Sequence, residues 1–99
     1  MLRVIVSEAA RIRIQINRLL SGRKVRGRCR VGPQHGARCT LHRHMRRISL
    51  RAQRGASRHH LSLRRLVPAR YAAAITAFGR GGVRSRTLTT RFQIVRARQ

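Results

Sequence analysis

The sequence predicts a mainly α fold: short amphipathic helices around an arginine-rich, partly disordered centre, with a strand near the C-terminus and no large core. Three observations lead there. Apolar residues recur at helical spacing in separate stretches of the chain. Bulky side chains are few, since the 99 residues include two Phe, one Tyr and no Trp, and at this length the fraction of surface buried on folding is modest. Finally, 25 Lys plus Arg stand against a single acid, Glu8, which leaves a formal charge of +24. Held in a sphere of radius ~16 Å, that charge costs roughly 75 kcal/mol unscreened and about a third of that at physiological salt. A domain holds only about 5–15 kcal/mol in reserve. The unfolded chain repels itself too, so the difference is smaller than the total, yet its sign opposes compactness until a polyanion reverses it.

Residues 1–22 form the first unit, an amphipathic helix over 8–21. Ile5, Ala9, Ile12, Ile16 and Leu19 recur at helical spacing, Ser7 caps, Glu8 sits in the first turn and Gly22 follows the end. The rival is a strand, because residues 11–16 read Arg-Ile-Arg-Ile-Gln-Ile in strict alternation and Ile is β-branched. The caps and the length favour the helix.

Residues 23–66 are the basic region, and 14 of the 25 cations fall between 23 and 65. Its first run, interleaved with Gly and small residues, is expected to be extended or disordered when free. A second helical pattern covers 40–54, with Leu41, Met45, Ile48 and Ala52 on one stripe and Gly55 as a stop. The short apolar segment from Ser57 to Val67 fits either helix or strand. Pro68 then opens an Ala-rich helix within 67–79, with Tyr71, Ile75 and Phe78 on one face and Gly79 as terminator. Residues 80–99 are a basic tail in which Leu88, Thr90, Phe92 and Ile94 alternate with polar residues, predicting a strand over 87–95. Its only candidate partner is residues 1–6. No internal repeat and no second domain is visible.

The composition excludes most enzymology. One Glu and no Asp allow no carboxylate pair for acid/base work, no Mg or Ca cage and no two-metal centre. Neither an enzyme nor a cofactor-dependent protein is expected. Cys29, Cys39, His42 and His44, with His35 between them, are spaced Cys-x9-Cys-x2-His-x-His, which is not the paired-ligand geometry of structural zinc. Unliganded thiols and solvated imidazoles are the expectation. A Cys29–Cys39 disulfide would close a small loop and belongs to an oxidising compartment.

What remains is charge density. Arg outnumbers Lys 24 to 1, and guanidinium is the better bidentate ligand of phosphate. The same bias also arises from a GC-rich template without selection. The residues expected to contact phosphate are Arg23, Lys24, Arg26, Arg28, Arg30, Arg38, Arg43, Arg46, Arg47, Arg51 and Arg54. Tyr71, Phe78 and Phe92 all lie outside that basic region, so base-stacking recognition is not expected. The functional expectation is sequence-independent binding to RNA backbone, as a small structural component of a ribosome-like particle beside other ribonucleoprotein components. Two other classes stand against it: translation of an unselected or overlapping reading frame, and a cationic peptide for membrane surfaces or organelle targeting. The longest stretch free of Arg and Lys, residues 71–79, is too short to span hydrocarbon. An intracellular location is favoured, and the cationic first helix also fits mitochondrial targeting.

Overall fold

The alternation over residues 11–16 decides the first element. On a helix Ile14 would point about 200° away from Ile12, leaving one Ile on the solvent side. On a strand all three Ile share one face. The computed structural model, which describes residues 2–95, takes the second solution: β2 (Ala10–Val25) leaves Ile12, Ile14 and Ile16 only 2%, 0% and 1% exposed. The helix expected over 8–21 is therefore a strand, and the same correction applies throughout. The pattern over 40–54 is β4 (Arg38–Ala52) and the Ala-rich segment is β6 (Ala69–Phe78). With 66% of the described residues in strands and 3% helical, the fold is mostly β rather than mainly α.

The remaining elements follow from pairing. β1 (Leu2–Val6) and β5 (Gly55–His59) form a two-stranded antiparallel sheet. β2 is the spine of a five-stranded antiparallel sheet. It pairs with β4 along most of its length, with β6 over residues 11–18, and with β3 (Arg28–Arg30) at its last three positions. β7 (Leu88–Ile94) lies inside the expected 87–95 span, but its partner is β6 rather than residues 1–6. A 3-10 turn, Arg80–Gly82, occupies the Arg-Gly segment. The last four residues of the basic tail lie outside the described residues.

An Ala-rich run favours helix intrinsically. Here tertiary context overrides that preference, because β6 lies between β2 and β7 and is paired along both edges. Tyr71, Ala73, Ile75 and Ala77 alternate onto the apolar face. Across from them Leu2, Val4 and Val6 of β1, with Leu61, Leu63 and Leu66 of the irregular chain after β5, close the core. The Tyr71 ring is fully buried, stacks 5.5 Å from Phe92, and its hydroxyl donates to the Val67 carbonyl at 2.6 Å. That bond satisfies the one polar atom the ring carries inward.

The centre expected to be disordered is a hairpin. Arg26 and Gly27 both have positive φ, 52° and 78°, the backbone a two-residue loop needs to match strand twist. Val25 and Arg28 close it. Beyond β3, residues 31–37 return to β4, held by the Lys24 amide donating to the Ala37 carbonyl at 2.9 Å. Cys29 and Cys39 are joined in a disulfide with Cα atoms 5.9 Å apart, which corrects the expectation of free thiols. Gly22 lies beneath it: a Cβ there would come 2.6 Å from the Arg30 carbonyl oxygen and 3.0 Å from Cys29 Sγ.

Candidate nucleic-acid interface

Direct cross-strand partners share a face of the sheet, so the register assigns every side chain to one side. Opposite the apolar face, the rows across β4, β2, β6 and β7 read as follows. Arg51 lies beside Arg11 and Phe78. Ser49 lies beside Arg13 and Thr76, then Arg47 beside Gln15, Ala74 and Thr89. Next, His44 lies beside Asn17, Ala72 and Arg91, and last Arg70 beside Gln93. Arg11, Arg47, Arg51, Arg70 and Arg91 are exposed and Arg13 is half-buried. The result is a polar face of guanidinium, amide and hydroxyl groups. The chain's single acid, Glu8, is in the β1–β2 connection with its carboxylate against Gly79.

Phe78 is the aromatic of this face. The guanidinium carbons of Arg13 and Arg11 lie 4.8 and 5.4 Å from its ring centroid, within the range of cation–π attraction. The ring thus orients two cations that would otherwise wander on long stems. Ala72, although on this face, is only 3% exposed, flanked in register by the longer side chains of Asn17 and Arg91. Thr76 is likewise buried, and its hydroxyl shares a 2.8 Å hydrogen bond with that of Thr87.

The residues expected from sequence to contact phosphate are scattered by the fold into distinct settings. Arg47 and Arg51 belong to the basic face. Arg23, Lys24, Arg26, Arg28, Arg30 and Arg38 gather at the far tip of the sheet, around the β2–β3 hairpin and the start of β4. Arg54 is in the exposed turn between β4 and β5. Arg43 sits opposite Arg18 in register. Arg46 is engaged elsewhere: its guanidinium donates to the carbonyls of Ser62 at 2.7 Å and Arg64 at 2.5 Å, tying the chain after β5 to the sheet. Arg11, Arg13, Arg70, Arg91 and Phe78 were missed because they fall outside the densest run of charge. The alternation of 11–16, read as a strand, is the signal that finds the first two.

The pairing also sets like charges against each other. Arg3 faces Arg58, Arg11 faces Arg51, Arg18 faces Arg43, and Arg23 faces both Arg30 and Arg38. Like charges directly opposite destabilise a sheet, and a bound anion between them turns that cost into an attraction. Among the described residues no three His, Cys, Asp or Glu side chains converge as metal ligands, and no helix is long and apolar enough to cross a membrane. The chain matches no protein-family model, no curated protein and no solved structure.

Proposed function

We propose that this protein binds the RNA backbone without regard to sequence, as a structural component of a ribonucleoprotein particle, through the basic face of its large sheet. The observation that carries the reading is that face itself: Arg11, Arg13, Arg47, Arg51, Arg70 and Arg91 on adjacent strands, with no Asp anywhere in the chain and the one Glu in another connection. Phosphate contacts supply affinity and register, while base edges supply specificity. The face is rich in the first kind of donor. Its only large aromatic, Phe78, lies under two guanidinium groups, so a base meets a cation before it meets the ring.

The sheet alters how such binding works. A disordered basic centre would reach the backbone as a flexible peptide, whereas a folded sheet lies across the backbone and presents its cations at fixed spacing. Positions alternate about 6.8 Å apart along a strand and about 4.8 Å apart between strands, so ordering entropy is spent mainly on folding rather than on binding.

The test is a triple substitution, Arg11→Gln with Arg47→Gln and Arg51→Gln, measured against a generic single-stranded RNA by fluorescence anisotropy. Loss of three phosphate contacts should weaken binding equally across sequences and make the salt slope shallower by about 2. An unchanged slope in a folded variant would remove this face from the interface.

A further inference from the structure

We infer that the tip of the large sheet holds a dedicated subsite for a dianionic phosphate monoester, such as the terminal phosphate of an RNA strand. The inference deepens the backbone-binding reading and rests on it for the source of the phosphate, not for the chemistry of the subsite. Ser21 pairs with Thr40 and Arg23 pairs with Arg38 across β2 and β4. Direct partners share a face, as do positions two apart on one strand, so two hydroxyls and two guanidinium groups form the corners of one cross-strand rectangle. The same four residues line a single cleft, completed by Gly22, Gly32, Pro33 and Cys39.

Three features suit this cluster to a phosphate. First, it is a concavity with glycine and proline in its walls, so an oxyanion can approach backbone as well as side chains. Second, it is braced. The Arg23 guanidinium donates to the Gly36 carbonyl at 3.3 Å, the Lys24 amide donates to the Ala37 carbonyl, and the Cys29–Cys39 disulfide ties β3 to β4 at the cleft wall. Third, its two cations are direct cross-strand neighbours, as Arg11 and Arg51 are on the basic face, but here the Ser21 and Thr40 hydroxyls complete the rectangle, so a charge of about −2 balances the pair and meets neutral donors beside it.

A phosphate monoester carries about −1.5 to −2 at neutral pH and three terminal oxygens that accept hydrogen bonds. An internal phosphodiester carries one charge and two such oxygens. Arg forks and hydroxyl donors around one point therefore favour the monoester, which gives the backbone-binding face a preferred end of the strand.

The experiment compares a 5′-phosphorylated oligoribonucleotide with its 5′-hydroxyl twin, binding the intact, oxidised protein. The wild type should prefer the phosphorylated strand by about tenfold, the size of one good charge-assisted contact set. Arg38→Gln should reduce the preference to twofold or less, and Thr40→Val should lower it partway. Arg84→Gln, which removes one charge from a distant exposed loop, should leave it intact. Equal preference in wild type and Arg38→Gln would overturn the subsite.

A second arm titrates phenyl phosphate while following the Nε–H signals of Arg23 and Arg38 by NMR. Saturable shifts at both, lost in Arg38→Gln, are expected. Signals that move no more than those of other arginines would also overturn the proposal. If phenyl phosphate saturates the site but neither oligonucleotide binds, the backbone-binding reading fails and the subsite stands.

Discussion

Arg46 and Arg47 are neighbours in sequence and face opposite sides of the sheet. Arg46 anchors the carbonyls of Ser62 and Arg64, whereas Arg47 is exposed beside Gln15 on the basic face. Arg46→Gln should lower stability by about 1–3 kcal/mol, the worth of hydrogen bonds to a charged donor, measured by urea denaturation. Arg47→Gln should leave the urea midpoint unchanged and weaken RNA binding alone. Arg18 is a third case: its Nε is buried without a hydrogen-bond partner among the described residues and its strand neighbour is Arg43. Arg18→Met removes an orphan donor and a like-charge pair while keeping the stem, so the thermal midpoint should rise. Ile14 is fully buried, so Ile14→Ala should cost about 2–5 kcal/mol, a large share of a domain's reserve and visible as a lower midpoint in the same urea series. The roles of Arg18, Arg46 and Arg47 were not legible from composition, because the chain holds 24 arginines that composition alone cannot tell apart. Only the register separates Arg46, a carbonyl anchor, from Arg47, a proposed phosphate ligand.

At the scale of elements, the sequence contained the right pattern beside a misleading one. Ser7, Glu8 and Gly22 satisfy helix-end rules, yet Ser7 and Glu8 lie in the turn between β1 and β2, and Gly22 is required by the disulfide that crosses it. Leu41, Met45, Ile48 and Ala52 fit a helical stripe by accident of a bulge. The register of β4 skips one residue between the partners of Ile16 and Asn17, leaving Met45 unpaired and 39% exposed. Such an extra residue shifts strand alternation by one place, which is why neither period fits the whole segment. The alternation over 87–95 carried no competing cap signal, and β7 falls within it. The disulfide is the element that holds the tip. Its partners are 10 residues apart, for which loop entropy gives about 2.7 kcal/mol. Reduction should lower the urea-derived stability by up to that amount. Gly22→Ala should leave two thiols titratable in the oxidised preparation, since the added Cβ meets both the Arg30 carbonyl and Cys29 Sγ.

For the whole molecule, shape answers charge. The radius of gyration is 16.5 Å and the extents are 49 × 41 × 16 Å, against a radius of about 13 Å for a compact domain of 100 residues. A thin slab spreads +24 over more surface than a sphere and keeps the cations farther apart, at the cost of a shallow core. The expectation of a meagre core from few bulky side chains agrees with a buried set centred on Ile12, Ile14, Ile16 and Tyr71. What composition does not carry is that alternating strands gather the core Ile and Tyr on one face and six arginines on the other, with Arg18, Arg43 and Arg46 left on the apolar side. Salt should therefore act with opposite signs on the two properties of this protein. Added NaCl should screen the cross-strand arginines and raise the thermal midpoint of the free chain, while it should weaken the proposed binding to RNA. The most direct test is the salt dependence of that binding, from about 50 to 200 mM, with an unstructured single-stranded RNA. Six phosphate contacts predict a straight line of log affinity against log salt with a slope of about −4 or steeper. A flat response, or no measurable binding at the low-salt end, would contradict the account.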